Sequence, residues 1–385
     1  PHDGGIMAEV KAVTDYATTK TMSKEDAVAA GLYEVIGANI DDPYIAELKK
    51  LVLNQDAINA VADDLKIVYT PLHGTGNIPV RRVLKELGFK HVYVVPEQEL
   101  PDGNFPTVSY PNPEAAEAFT LGLGMAKELD ADLVLATDPD ADRLGVYVKD
   151  SKTGEYHSLT GNMSGCLIGA YEISQRKEKY GLPADGAFVK SIVSTNLADA
   201  IAADYGVKLY EVLTGFKFIG QKMLEFETKG NGTYLFGMEE SYGCLPGTYA
   251  RDKDSVGTLM LLCEAAAYYK NRGMTLWDRM VELWQEYGYY KEKVQTMKFD
   301  GREGVSTLNC SDYTAQIAAD PESDFYDSLH YNCVGAKKFS AFLADWTKNN
   351  LSISPDEPQD TVLWTARLQH FRDLTANPPQ EDTSA

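Results

Sequence analysis

The stretch 137–145 (TDPDADRLG) places three carboxylates at alternate positions, Asp138, Asp140 and Asp142, directly after the apolar run 131–137 (ADLVLAT). In extended or turning backbone a period of two directs such side chains to one side. Three like charges held there need a cation to offset their repulsion. An all-oxygen cluster at the C-terminal end of a parallel strand suits Mg²⁺, and a sugar phosphate could supply a further ligand. Arg143 adds a planar fork able to grip phosphate in bidentate fashion. Other readings of the same residues are an acidic, solvated turn, an EF-hand, and the nucleophile loop of a haloacid-dehalogenase-like phosphatase with Asp138 attacking and Asp140 as acid. An EF-hand would need Gly and Glu where Arg143 and Lys149 stand. The phosphatase motif usually follows the first strand of its domain, and here the motif follows a later one.

Four further stretches carry groups of interest. In 70–76 (TPLHGTG) the glycines let backbone N–H groups approach an anion at the next helix, and His73 serves either as a ligand or as a turn cap. In 237–243 (GMEESYG), Glu239, Glu240 and Ser241 offer acceptors and a hydroxyl suited to sugar hydroxyls. In 249–255 (YARDKDS), Arg251 and Lys253 are cations inside an acidic protein, although Asp252 and Asp254 can cancel them in a salt-bridged surface turn. The stretch 213–220 (LTGFKFIG) is another strand-to-helix loop, with Lys217 as a phosphate ligand.

These loops need elements to hold them. Short apolar runs at 65–70, 91–95 and 131–137 read as strands, separated by helices at 79–87 and 114–130, with a further helix at 45–53. A second set echoes the first: a strand at 187–193, a polar turn, a helix at 197–205 stopped by Gly206, and a strand at 207–212. Helices at 165–177, 256–270 and 276–287 complete it. The alternation predicts an α/β protein of repeated α/β domains with mixed, largely parallel sheets. Expected boundaries are a remnant over 1–40 packed on the rest, a metal-binding α/β domain over 41–150, a sugar-binding α/β domain over 151–290, and an irregular C-terminal segment over 291–385.

Composition narrows the function classes. The chain has 385 residues and a net charge of −21 from 36 basic and 57 acidic side chains, a field that repels phosphate backbones and argues against nucleic acid as a partner. Its longest apolar run, 256–269, is broken by Gly257, Thr258 and Glu264, short of the ~20 residues a bilayer requires. The five cysteines (Cys166, Cys244, Cys263, Cys310, Cys333) are scattered without a C-x-x-C, which suits reduced thiols in the cytoplasm. No signal peptide opens the chain, and Pro1 in place of Met leads us to expect a longer product.

Taken in order, TPLHGTG, TDPDADRLG, LTGFKFIG, GMEESYG and RDKD resemble the loops of the α-D-phosphohexomutase superfamily, most closely bacterial phosphoglucomutase/phosphomannomutase proteins, over about 1–304. The resemblance implies four domains around a cleft and Mg²⁺-dependent phosphoryl transfer between O1 and O6 of a hexose phosphate through a phosphoserine. It implies Mg²⁺ on Asp138, Asp140 and Asp142, sugar hydroxyls on Glu239 and Ser241, Thr214, Gly215 and Lys217 along the cleft, and Arg251 and Lys253 near phosphate. Two family loops are absent from the 385 residues: T-A-S-H-N-P, which carries the serine, and R-x-S-G-T-E-P, which clamps phosphate. Stretches 297–304 and 371–381 resemble pieces that lie closer together in the family, so 306–370 reads as an insertion, a frame disruption or a fusion. Ser255 stands where the family usually has Gly. No catalytic carrier is therefore assigned. The expectation is an inactive chain that binds metal and sugar phosphate.

Overall fold

The computed structural model of the chain describes residues 3–290 and residue 292. Cys310, Cys333 and the expectations for 306–370 and the rest of the C-terminal segment lie outside the described residues. Two helices, α1 (Asp3–Ala12) and α2 (Lys24–Ala29), come first. Almost every residue from 4 to 40 is exposed, Ile6, Val10, Tyr16, Leu32 and Val35 among them. The described part of 1–40 is therefore not packed on the rest as expected. Helices this short bury too little to hold a tertiary face by themselves.

Helices α3 (Ala38–Lys49) and α4 (Gln55–Val61) lead into β1 (Lys66–Thr70), α5 (Asn77–Leu87), β2 (His91–Val94), α6 (Pro96–Glu99), α7 (Thr120–Leu129) and β3 (Leu133–Thr137). Strands β4 (Leu144–Lys149) and β5 (Tyr156–Leu159) follow. The sheet order is β2-β1-β3-β4-β5, with β1 parallel to β2 and β3, and β4 and β5 antiparallel additions. The apolar runs of β1 and β3 are continuous because both faces are covered. Ile67, Tyr69, Leu133 and Leu135 enter one core with Val80, Val83 and Leu84 of α5. Val68, Val134 and Ala136 enter another with Ala126 of α7.

The second half comprises α8 (Gly161–Tyr180), β6 (Gly186–Ser191), α9 (Leu197–Tyr205), β7 (Lys208–Val212), α10 (Phe216–Lys229), β8 (Thr233–Met238), β9 (Cys244–Pro246), α11 (Ser255–Lys270) and α12 (Leu276–Tyr287). Its sheet runs β7-β6-β8-β9, with β6 parallel to β7 and β8, and β9 antiparallel. This is the plan of the first four strands of the other sheet, so the repeated, mixed and largely parallel α/β architecture is present. Helix α11 is buried on every side from Ser255 to Ala267, as a helix apolar all round must be. Its Glu264 accepts from the Leu53 and Asn54 N–H groups (2.9 and 2.7 Å) at the start of α4 and from the Tyr171 hydroxyl of α8 (2.7 Å). No helix among the described residues is long and apolar enough to cross a membrane.

Two further expectations are corrected. The helix expected over 114–130 is a 3₁₀ turn, Ala116–Phe119, followed by α7; the tighter turn seats Phe119 against Tyr147 with ring centroids 4.7 Å apart. Strand β5 pairs with β4, so the first sheet runs past the expected boundary at 150. The chain reverses there through Asp150, whose carboxylate accepts from the Lys152 N–H (2.8 Å) and the Thr153 hydroxyl (2.9 Å).

Candidate functional site

Strand β3 delivers Asp138 to the end of the first sheet, where the residue is 8% exposed. Asp138 Oδ1 accepts from the Asp142 and Arg143 N–H groups (3.0 and 2.9 Å), and the Ala141 N–H donates to the Asp138 carbonyl (3.0 Å). The chain thereby curls around its own first carboxylate. One oxygen from each of Asp138, Asp140 and Asp142 lies within 4.8 Å of the others. Burial, then the charges of Asp142 and Asp140, push the Asp138 carboxyl up to about 7 against the pull of the Arg143 N–H. A half-buried group of oxygen donors with this repulsion fits a hard divalent cation such as Mg²⁺.

The TPLHGTG turn supports this loop from beneath. A Cβ on Gly74 would meet the Pro139 backbone at 2.3–2.7 Å, and the Thr75 N–H donates to the Pro139 carbonyl (2.8 Å). A Cβ on Gly76 would meet Thr137 Oγ1 and the Tyr69 hydroxyl, both at 2.6 Å. The turn thus meets the aspartate loop by backbone approach that only glycine permits. His73 is buried, with Nδ1 on the Leu100 carbonyl (3.0 Å) and Nε2 on Thr107 Oγ1 (2.9 Å). Of the two roles open to His73, ligand or turn cap, these contacts favour the cap.

The second sheet delivers GMEESYG between β8 and β9. The Glu239 N–H donates to the Gly243 carbonyl (2.9 Å), closing a turn that holds Ser241 half-buried. The Leu144 N–H donates to the Tyr242 carbonyl (3.0 Å), joining this loop directly to the aspartate loop. Lys253 Nζ lies 3.0 Å from Asp142 Oδ2, 3.8 Å from Glu239 Oε1 and 5.8 Å from the Phe216 ring centre. One ammonium therefore touches the aspartate, GMEESYG and LTGFKFIG loops. Burial pushes the Glu239 carboxyl up to about 7 against the pull of Lys253. Burial lowers the Lys253 ammonium, but its hydrogen bond to Asp142 and the charges of Glu239, Asp142 and Asp252 outweigh that, and the net direction is up.

The remaining expected residues are dispersed. Arg143 lies 3.7 Å from Asp142 and 3.8 Å from Asp138, and also holds Glu114 (3.0 Å). Thr214 and Lys217 are exposed beside Gly215, whose φ of 112° begins α10. Arg251 turns away from the aspartates and grips Glu227 with Nη2 (2.6 and 2.5 Å), its Nη1 donating to the Thr248 carbonyl (3.0 Å).

Sequence reasoning missed two supports. Asp254 caps α11 through the Val256 N–H (2.8 Å) and receives the Tyr44 and Tyr249 hydroxyls (both 2.7 Å). Ser255 donates from N and Oγ to the Ala141 carbonyl (3.0 and 2.6 Å). That pair fixes Ala141 at φ 59°, and Leu72, His73 and Tyr242 also have positive φ in the facing loops. Such conformations cost about 1–3 kcal/mol each and gather where geometry matters more than stability. Alanine has no preference for the left-handed region, so nothing in D-A-D signalled Ala141, and nothing near Asp254 pointed to Tyr44.

Two family models match the chain: phosphoglucomutase/phosphomannomutase, alpha/beta/alpha domain II over residues 42–154, and domain III of the same family over 160–287. The phosphoglucomutase of Staphylococcus haemolyticus is 38% identical over 268 residues, 70% of this chain and 47% of that protein. That of Staphylococcus aureus strain N315 is 38% identical over 246 residues, 64% of this chain and 43% of that protein. The chain thus spans about half the length of the relatives it matches. A phosphoglucomutase/phosphomannomutase family protein from Burkholderia thailandensis has a similar structure, with TM-score 0.51 and 16% identity over 86% of this chain and 70% of that one. For parafusin (phosphoglucomutase) from Paramecium the TM-score is 0.50 at 22% identity, over 64% of this chain and 42% of that one. At such identities the structural likeness speaks to the fold.

Proposed function

The chain belongs to the phosphoglucomutase/phosphomannomutase family, and from that premise we propose that its two joined loops hold Mg²⁺ and a hexose phosphate for phosphoryl transfer between O1 and O6 of the sugar. The observation that carries this reading is Lys253, within 3.0 Å of Asp142 and 3.8 Å of Glu239. A metal-type carboxylate cluster and a sugar-type acceptor share one cation.

Asp138, Asp140 and Asp142 would hold the Mg²⁺, which when bound supplies positive charge to the transferring phosphoryl group. Glu239 accepts from a sugar hydroxyl, and Ser241 donates to or accepts from a neighbouring one. Lys253 and Arg143 draw phosphate toward the metal loop, and Thr214, Gly215 and Lys217 border the sugar. Arg251, committed to Glu227, reaches phosphate only by giving up that pair. The phosphoryl carrier is not among these groups: Glu240, the carboxylate beside Ser241, is engaged by the Ser191 hydroxyl (2.6 Å), and T-A-S-H-N-P does not occur in the 385 residues. We therefore assign metal and glucose 1-phosphate or glucose 6-phosphate binding to this chain and no turnover by it alone. Buried free thiols at Cys166, Cys244 and Cys263 accord with work in a reducing cytoplasm.

Calorimetry with glucose 6-phosphate in the presence of Mg²⁺ tests the reading. Binding is expected, with loss of roughly tenfold in affinity for Glu239→Gln, the size of a hydrogen bond to a charged group. A coupled dehydrogenase assay with glucose 1,6-bisphosphate present should stay at background. Absence of sugar-phosphate binding by the parent chain would reject the proposal.

A further inference from the structure

Lys190 lies in β6 at the centre of the second sheet, and its side chain is 0% exposed. A buried ammonium is costly, and a well-packed apolar residue of similar length is often as stable or more so. Two carboxylates from neighbouring elements neutralise it: Asp199 Oδ2 of α9 at 2.8 Å and Glu211 Oε1 of β7 at 2.9 Å. Its donors also reach oxygens of one turn, the carbonyls of Ser194 (3.2 Å) and Thr195 (3.3 Å) and Asn196 Oδ1 (3.4 Å). Neutralisation alone does not require those three contacts. They hold the turn in place.

That turn in turn holds the sugar loop. Ser191 Oγ donates to Glu240 Oε2 at 2.6 Å and Ser194 Oγ to the same oxygen at 3.4 Å, with the two hydroxyls 2.9 Å apart. The Thr195 N–H donates to Asn162 Oδ1 (3.1 Å) at the start of α8. Gly161, next to it, lies so close beneath Glu240 that an added Cβ would stand 2.1 Å from the Glu240 carbonyl oxygen. Glu240 thus faces away from Lys253 into this support, while its neighbour Glu239 faces Lys253.

We propose that Lys190 is a positioning residue: through the 191–196 turn and the Glu240 carboxylate it sets the geometry in which Glu239 and Ser241 meet the sugar of a hexose phosphate. The identity of that ligand rests on the function proposed above; the mechanical link from Lys190 to the loop does not.

The experiment follows amide hydrogen exchange and ligand binding in the full chain and in Lys190→Met, which keeps length and removes charge. We expect amides of 191–196 and of 238–243 to exchange about tenfold faster while strand 66–70 is unchanged, a local opening in place of global loss. Glucose 6-phosphate affinity should fall about tenfold, and Mg²⁺ affinity should stay within about twofold, a split that a general loss of stability would not give. Wild-type exchange across 238–243 with 191–196 loosened would overturn the proposal. Should the parent chain bind no glucose 6-phosphate, the functional reading fails and the exchange arm still decides the mechanical link. Should Lys190→Met not fold, the pair Ser191→Ala/Ser194→Ala leaves the Lys190 ion pairs intact and cuts the relay one step later. Faster exchange at 238–243 supports the relay there, and unchanged exchange overturns it.

Discussion

The two sheets share a strand plan, β2-β1-β3-β4 in one and β7-β6-β8-β9 in the other, and place different chemistry at its matching ends. The connection from the third parallel strand to the antiparallel one carries Asp138, Asp140 and Asp142 in the first sheet and Glu239, Glu240 and Ser241 in the second. In both, the turn after the central strand props that connection from beneath. The first prop is uncharged and mostly main chain, Gly74 against Pro139 and the Thr75 N–H on the Pro139 carbonyl, which the Thr75 hydroxyl also reaches (3.1 Å). The second is made of side chains, Ser191 and Ser194 on Glu240 with Lys190 behind them. A main-chain prop adds no charge beneath three clustered carboxylates, as the proposed cation site would need. A side-chain prop can aim one of two adjacent glutamates inward and leave the other for a ligand. On the proposed function, one topology would serve two kinds of recognition because its buttress differs.

The strongest way to break the comparison is to insert one methyl group under each loop. Gly74→Ala and Gly161→Ala each force backbone at 2.1–2.7 Å to move, costing about 3 kcal/mol, the upper end of overpacking. Thermal unfolding should show similar losses for both. Titrations should separate them, with Gly74→Ala weakening Mg²⁺ more than glucose 6-phosphate and Gly161→Ala doing the reverse. Equal loss of both ligands in both variants would mean the props are not specific to their loops.

A smaller effect concerns pH. Asp138 and Glu239 are both held near 7 in the folded chain, above ordinary values of 3.8 and 4.5. Each folded carboxyl keeps its proton better than the unfolded one, so its contribution is complete below the ordinary value and is lost as pH rises through about 7. Without Mg²⁺, Tm should fall by a few degrees between about pH 5 and 8, and Mg²⁺ should restore it at the upper end. Asp138→Asn should flatten the profile and abolish the restoration. Glu239→Gln should flatten it and keep the restoration. A flat parent profile would contradict the assigned burial of both groups.

Much of the fold was legible because buried parallel strands are continuous apolar runs: KIVYT and LVLAT need no partner to be recognised. The aspartate triplet was legible because a period of two is itself the signal. Strands β4 and β5 were missed because LGVYVK continues a loop motif and YHSL is short and polar, so only pairing with β3 and β4 makes them strands. For His73 and Arg251 the sequence left two roles open for a related reason. The groups that claim them, Leu100 and Thr107 for one and Glu227 for the other, are distant in the chain. Lys190 reads as an ordinary solvent-facing lysine until Asp199 and Glu211 fold over it.

The central claim is that the two loops form one site, and thermodynamic linkage tests it most directly. Mg²⁺ is titrated into the chain with and without saturating glucose 1-phosphate, the chelation of Mg²⁺ by the sugar phosphate being measured separately. Sharing Lys253 between Asp142 and Glu239 predicts that each ligand tightens the other by about fivefold or more, equally in both directions, as reciprocity requires. Identical Mg²⁺ affinity with and without the sugar phosphate would mean two independent loops and would contradict the account.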